Sequence, residues 1–386
     1  TTFYDPLGRV TSTSQDSELG LLTTLTTYGT TFTTTVTNPR GFSTTSTYLT
    51  FDQPSTDWPL VISAPESATT AIARDTFGNP TSLTRSGGGV TPVVRSYSYN
   101  INQELCRSVE PETGATLFGY DAGGNLTWSA AGLASSQACH ATGNTTAINA
   151  RKASRTYDNR NRLLTLAFPG GNGNQTWTYT PDGLPETVST NNGGNAVTNG
   201  YVYNKRRLMS GESMKPDTVQ LGWGMGYGYN ALGQVVSEAY PASFAVNYTV
   251  NALGQTSQVT ASADGGAATT IASSASYFPN GALKQFTYGN GIVHTMTQNA
   301  RQLPSLSVDG SVLNLTTTFD ENGNVSAITD ATAAARQTRS MGYDQLDRLT
   351  STTSPMFGTA SYVYDTLDNL KQVNVSGGTG ARNPYL

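Results

Sequence analysis

Hydrophobic and polar positions alternate along most of this chain in short runs. Tyr97 and Tyr99, Trp177 and Tyr179, Tyr201 and Tyr203, Tyr227 and Tyr229, and Tyr362 and Tyr364 each stand two residues apart. A period of two places both rings on one face of a strand. The runs break in one recurring way. An Asp or Asn follows the second aromatic, a Gly often comes three residues later, and Arg, Asn or Gln then leads into an aliphatic. "YDPLGRVT" from Tyr4, "YDAGGNLT" from Tyr120, "YDNRNRLL" from Tyr157 and "YNALGQVV" from Tyr229 share this form. So do "FDENGNVS" from Phe319, "YDQLDRLT" from Tyr343 and "YDTLDNLK" from Tyr364.

Each unit reads as strand, turn and return strand. Asp5, Asp121, Asp158, Asn230, Asp320, Asp344 and Asp365 are placed to accept backbone N–H bonds and start an Asx-turn. Gly8, Gly124, Gly233 and Gly323 fall where a hairpin or bulge needs positive φ. The aliphatic is often followed three residues on by another apolar group, as with Leu83 after Pro80 and Ile328 after Val325. That offset breaks strict alternation. It predicts a bulge, with the first aliphatic capping the turn and the inward parity starting at the second. Helical spacing is the rival, and the surrounding Thr, Ser, Gly and Val disfavour it. Only Asp330 to Arg336 could form a helical turn, or else a loop.

The units recur. Origins fall at Tyr4, Arg74, Tyr99, Tyr120, Tyr157, Tyr179, Tyr203, Tyr229, Val250, Phe278, Thr297, Phe319, Tyr343 and Tyr364, and from Tyr157 on the steps run from 19 to 28, a period in the low twenties. Fixed-period similarity is the signature of a repeat architecture. The expected fold is all-β: antiparallel hairpins in one continuous ribbon, which twist obliges to coil. Tyr rings stacked from unit to unit would hold the register. Residues 1–98 form a Thr-rich, degenerate part, and Gly20 to Arg74 resists registration, although "NPRGFSTTSTY" from Asn38 reads as turn then strand. Residues 99–386 form the regular array, with an insert over 127–156.

Composition narrows the function. Charged residues make up 12% of 386, Tyr at 20 outnumbers Phe at 12, and the net charge is -4. No basic cluster exceeds Lys205–Arg207, which argues against nucleic acid. No apolar run approaches a membrane span. The opening already reads as a repeat, so the chain is expected to be a fragment of a longer protein. Cys106 and Cys139 bracket one unit. In an extracellular β-protein they predict a disulfide contributing about 3–4 kcal/mol; two separate buried thiols are the alternative.

The motifs quoted above resemble YD repeats, the unit of Rhs proteins, of the C-component of insecticidal Tc toxins and of teneurins. The resemblance implies a β-ribbon wound into a hollow shell, or cocoon. In toxin members such a shell encloses a C-terminal effector; in teneurins it scaffolds an adhesion receptor. The expected partners are therefore an enclosed effector polypeptide or neighbouring shell segments, with cell-surface glycan as an alternative, in a secreted or surface-exposed protein. The self-cleaving segment of the toxin shells has no match after Leu370, so no protease residues carry over.

Little points to catalysis. The two histidines, His140 and His294, are far apart. Adjacent Cys139 and His140 would face opposite ways on a strand. Three or four zinc ligands cannot be assembled from this inventory. Glu110 with Glu112, and Asp344 with Asp347, could pair for glycoside hydrolysis, but turn formation explains the recurring Asp better. Asp320 to Asn324 resembles a calcium loop without its closing Glu. No cofactor is expected. Among the tryptophans, Trp177 and Trp223 are read as inward, while Trp58 and Trp128 remain candidates for glycan contact.

Overall fold

A computed structural model of the chain describes residues 1–50, 55–216, 222–332 and 338–377. The described residues form a 32-stranded sheet and a single short helix, Thr146–Asn149. Each strand pairs antiparallel with the next in sequence wherever the register is defined, as in Gly114–Tyr120 with Leu126–Leu133 and Phe244–Val250 with Thr256–Ser262. This is the hairpin ribbon that the alternating pattern predicts. The stretch from Asp330 to Arg336 lies partly outside the described residues.

The chain divides into two compact units. One comprises Thr1–Val94, Ser276–Phe286 and Gly291–Leu386; the other comprises Arg95–Ala275 and Thr287–Asn290. Few of their described side chains are fully buried. Hydroxyl pairs across strands do much of the joining: Thr35 with Thr45 at 2.8 Å, Thr156 with Thr165 at 2.7 Å, Thr178 with Thr187 at 2.7 Å. Such cross-strand pairs contribute roughly 0.2–1 kcal/mol each. The Thr-rich, weakly charged composition follows from this mode of joining.

One apolar cluster stands out, made of Ala115, Leu117, Trp128, Ala130, Leu133 and Ile148. It sits in the second unit, where the insert lays a layer over the sheet. Thr145 caps the short helix by accepting the Ile148 N–H on its hydroxyl, and the helix delivers Ile148, which is fully buried. Cys106 and Cys139 form a disulfide with Cα atoms 5.4 Å apart, pinning the same layer. Trp128 is 5% exposed and so cannot reach an external glycan. Trp223 is 60% exposed, contrary to the inward expectation. It opens its strand, where it pairs with Met214 on one side, while the pairing with the following strand begins only at Gly226 and leaves the ring uncovered.

Candidate functional site

The repeated turn is the candidate site, and Asp121 shows its construction. The Asp121 Oδ1 accepts the N–H groups of Gly123 and Asn125, both at 2.9 Å. The Gly124 N–H donates to the Asp121 carbonyl and the Asp121 N–H donates to the Asn125 carbonyl, both at 3.0 Å. Asp5, Asp75, Asp158, Asp320, Asp344 and Asp365 repeat this set, and Asn100, Asn204, Asn230, Asn251 and Asn299 do so with an amide oxygen. Accepted hydrogen bonds favour the ionised carboxylate. Bonds from the Arg162 backbone and side chain hold Asp158 down at about 2, and Asn125 similarly lowers Asp121.

The residue three places after the turn acid is left-handed throughout. Gly8 and Gly124 have φ of 76° and 78°, as read from the sequence. Gln103, Asn161, Arg207, Gln302, Asp347 and Asp368 occupy the same place at φ of 58° to 69°. Each of these accepts about 1–2 kcal/mol of strain that glycine avoids.

Past the turn the ladder skips one residue. Gly119 pairs with Trp128 but Tyr120 pairs with Leu126, so Thr127 is the extra residue of a bulge. The three-residue offset between aliphatics is this bulge, repeated at Arg74/Pro80, Tyr157/Leu163 and Phe319/Val325. Its hydroxyl residue donates back across the hairpin, from Thr127 to the Gly119 carbonyl at 3.1 Å and from Thr350 to the Gly342 carbonyl at 3.1 Å.

The tyrosines link units by their hydroxyls. Tyr120 donates to the Leu105 carbonyl (3.0 Å), Tyr157 to Leu126 (2.8 Å), Tyr179 to Leu163 (2.7 Å), Tyr229 to Met209 (2.6 Å) and Tyr343 to Val325 (2.9 Å). In every case the acceptor is the aliphatic that opens the return strand of the preceding unit. A bulge leaves that carbonyl outside the regular ladder, and an unpaired backbone acceptor is costly. This explains why Tyr is favoured over Phe, and it is a different linkage from the ring stacking expected. The Arg of the motif adds a second link. Arg9, Arg162 and Arg348 pair with Asp5, Asp158 and Asp344 and lie 4.1, 4.4 and 4.9 Å from the ring centres of Tyr28, Tyr179 and Tyr364 in the following units.

These contacts also register the Thr-rich region. Tyr28 donates to the Val10 carbonyl at 3.0 Å, and Tyr48 pairs with Pro59 across a bulge, so both are unit origins. The Asn38 turn belongs to the other end of its hairpin. Two origins move by one residue, from Phe278 to Tyr277 and from Thr297 to Gln298, since the turn bonds begin at Phe278 and Asn299.

Within the first unit the ribbon meets its own flank. The hairpin tips opposite the turn row carry Glu18, Arg40, Glu66 and Gly87. They contact Arg301, Asp344 with Asp347, Gln345 and Thr366 in that order, at sequence separations of 279 to 307. Arg40, 15% exposed at its side chain, donates to the Asp344 carbonyl at 2.8 Å, to Asp347 at 2.5 Å and to the Tyr343 carbonyl at 3.2 Å. Burial at the seam would raise the Asp347 pKa, but hydrogen bonds from Arg40, Asn324 and Asn322 outweigh it and hold it low. Arg85 adds a bond to Asp368 at 2.6 Å.

The groups considered for chemistry are engaged structurally. Glu110 and Glu112 both pair with Arg95. Asp344 holds Arg348, and Asp347 holds the seam. His140 Nδ1 accepts the Gly143 N–H at 2.9 Å, and His294 Nδ1 lies 2.6 Å from Asp309 on the next strand. Asp320 spends its Oδ1 on its own turn, at 3.0 Å from Asn322 N and 2.8 Å from Asn324 N.

No protein-family model and no curated protein matches the sequence. Solved structures do match. The crystal structure of TcdB2-TccC3-TEV aligns over 100% of this chain with a TM-score of 0.69 and 13% identity. The chain has the fold of these Tc toxin structures. The crystal structure of TcdB2-TccC3 aligns with a TM-score of 0.62 at 15% identity, and the Tc holotoxin pore of Photorhabdus luminescens with 0.56 at 13%, each over the whole chain. At such identities what is shared with the Tc toxins is the ribbon itself. The chain spans 22% of the two TcdB2-TccC3 chains and 25% of the holotoxin chain.

Proposed function

We propose that this chain is a wall segment of a hollow Rhs/YD-repeat shell, and that the shell encloses a C-terminal toxin or effector. The wall acts by confinement. It denies its cargo the volume to fold or to meet a target, and it denies proteases access. The observation that carries this reading is the seam, where a row of hairpin tips is hooked onto a row of turns by Arg40, Arg85 and Arg301. A ribbon that only presented itself as an extended fibre would have no need to bond its own flank. Shared fold with the Tc toxin structures supports the shell, and a secreted or surface-exposed setting belongs to the same reading.

The test is made on the parent polypeptide. Electron microscopy should show a hollow particle, and the region after the repeats should resist protease. Arg40→Ala should shorten that protection by opening the seam. A solid fibre, or a following domain digested at the same rate with and without the repeats, would favour an adhesive scaffold and overturn confinement.

A further inference from the structure

In the second unit, three adjacent strands place six side chains on one face in two rows. Asn199 pairs with Met214, which pairs with Trp223; two residues along, Tyr201 pairs with Glu212, which pairs with Met225. Residues two apart on a strand share a face and stand about 7 Å apart, while paired residues stand about 5 Å apart. The rows therefore form a compact patch, and with Pro241 it lines a cleft of about 230 Å³. Lys215 has the opposite parity and points away from it.

The described lining is rich in electron donors: Trp223 and Tyr201 bring aromatic rings, Met214 and Met225 thioethers, and Glu212 a carboxylate. Glu212 is held in place by the Tyr227 hydroxyl, which donates to its Oε1 at 2.5 Å, and this bond pushes the Tyr227 pKa up to about 12. Among the described residues its second oxygen has no hydrogen-bond partner and can accept from an incoming group. None of the described lining residues is basic. Aromatic faces and a carboxylate together attract a cation, and the attraction grows as the cation sheds water. A sugar would want several donors as well as acceptors, and on this face Asn199 is the one amide among the described lining residues.

We propose that this cleft binds a cationic side chain, the guanidinium or ammonium group of an arginine or lysine on a polypeptide lying against this face. If the wall reading holds, that polypeptide is the confined cargo, but the binding test stands without it. The intact chain is titrated with a blocked Gly-Arg-Gly-Arg-Gly peptide, its citrulline counterpart and maltohexaose, following tryptophan fluorescence. The arginine peptide should give a saturable change that weakens with added salt. The neutral citrulline peptide and the Glu212→Gln variant should each bind about tenfold more weakly. Trp223→Ala should abolish the signal while far-UV circular dichroism stays unchanged. Equal binding of the citrulline peptide, or a signal that survives Trp223→Ala, overturns the proposal, and saturable maltohexaose binding lost in Trp223→Ala would assign the cleft to a sugar instead.

Discussion

The tyrosine hydroxyl gives the most direct test of how the repeats are joined. Tyr157→Phe keeps the ring and removes one donor, the hydroxyl 2.8 Å from the Leu126 carbonyl. A neutral hydrogen bond contributes about 0.5–1.5 kcal/mol net, and a buried acceptor left unpaired costs about 1–3 kcal/mol. Leu126 is half-buried, so water replaces part of the lost bond. The expected loss is therefore about 1 kcal/mol, or about fivefold in the local opening constant. In a repeat array each unit leans only on its neighbours, so the loss should stay local. Native-state hydrogen exchange reads this directly. Protection should fall about fivefold in Leu126–Leu133 and Lys152–Tyr157, and stay unchanged in Leu370–Ser376. Tyr343→Phe should do the same to Val325–Asp330, and the distant pair should add. Unchanged protection in both variants would show that the rings, and not their hydroxyls, join the units.

Three further outcomes are expected. Gly124→Val should cost about 1–2 kcal/mol from its φ of 78° alone, since the nearest atom to a new Cβ is Glu104 Oε1 at 3.8 Å; an unchanged denaturation midpoint would refute the turn assignment. Reducing the Cys106–Cys139 disulfide, which closes a separation of 33 residues, should remove about 4 kcal/mol from the insert layer and expose Trp128, read as a red shift of its fluorescence; free thiols in the native protein would refute the bridge. Lowered carboxylate pKa values mean that the unfolded state binds protons first, so stability is full above the ordinary carboxylate range and is lost as pH falls from about 4 towards 2, the value held by Asp158. Asp158→Asn should flatten that acid limb in urea titrations, whereas a loss of stability beginning near pH 6 would implicate other groups.

Much of the ribbon was legible because its signals are local. An aromatic, an Asx residue, a glycine and an aliphatic at fixed offsets state a hairpin with its bulge, and the Pro80/Leu83 offset is the local mark of that bulge. The Thr-rich third was opaque for an equally local reason. Tyr28 and Tyr48 are followed by Gly29 and Leu49, which lack the Asx acceptor, while Asn38 carries a convincing turn at the wrong end of its hairpin. Phe278 misled because it fills the turn position itself, with Asn280 supplying the side-chain acceptor to Ala282 at 3.1 Å. The left-handed Gln103 and Gln302 had no sequence mark, since the surrounding bonds impose their conformation. Arg40, Glu18 and Glu66 could not be matched to partners about 280 to 300 residues away, because no periodicity encodes which flank meets which. Trp223 failed for a simpler reason: parity gives a face, but not whether that face is covered.

The hydroxyl-to-carbonyl bonds of Tyr28, Tyr120, Tyr157, Tyr179, Tyr229 and Tyr343 run one way, from a later tyrosine back to an earlier carbonyl. A chain emerging from the ribosome therefore finishes such a hairpin only when the tyrosine of the next one arrives, since the incoming hydroxyl completes the kink left behind it. Synthesis from the N-terminus then works as a ratchet at these junctions, with each tyrosine-led repeat fastening its predecessor.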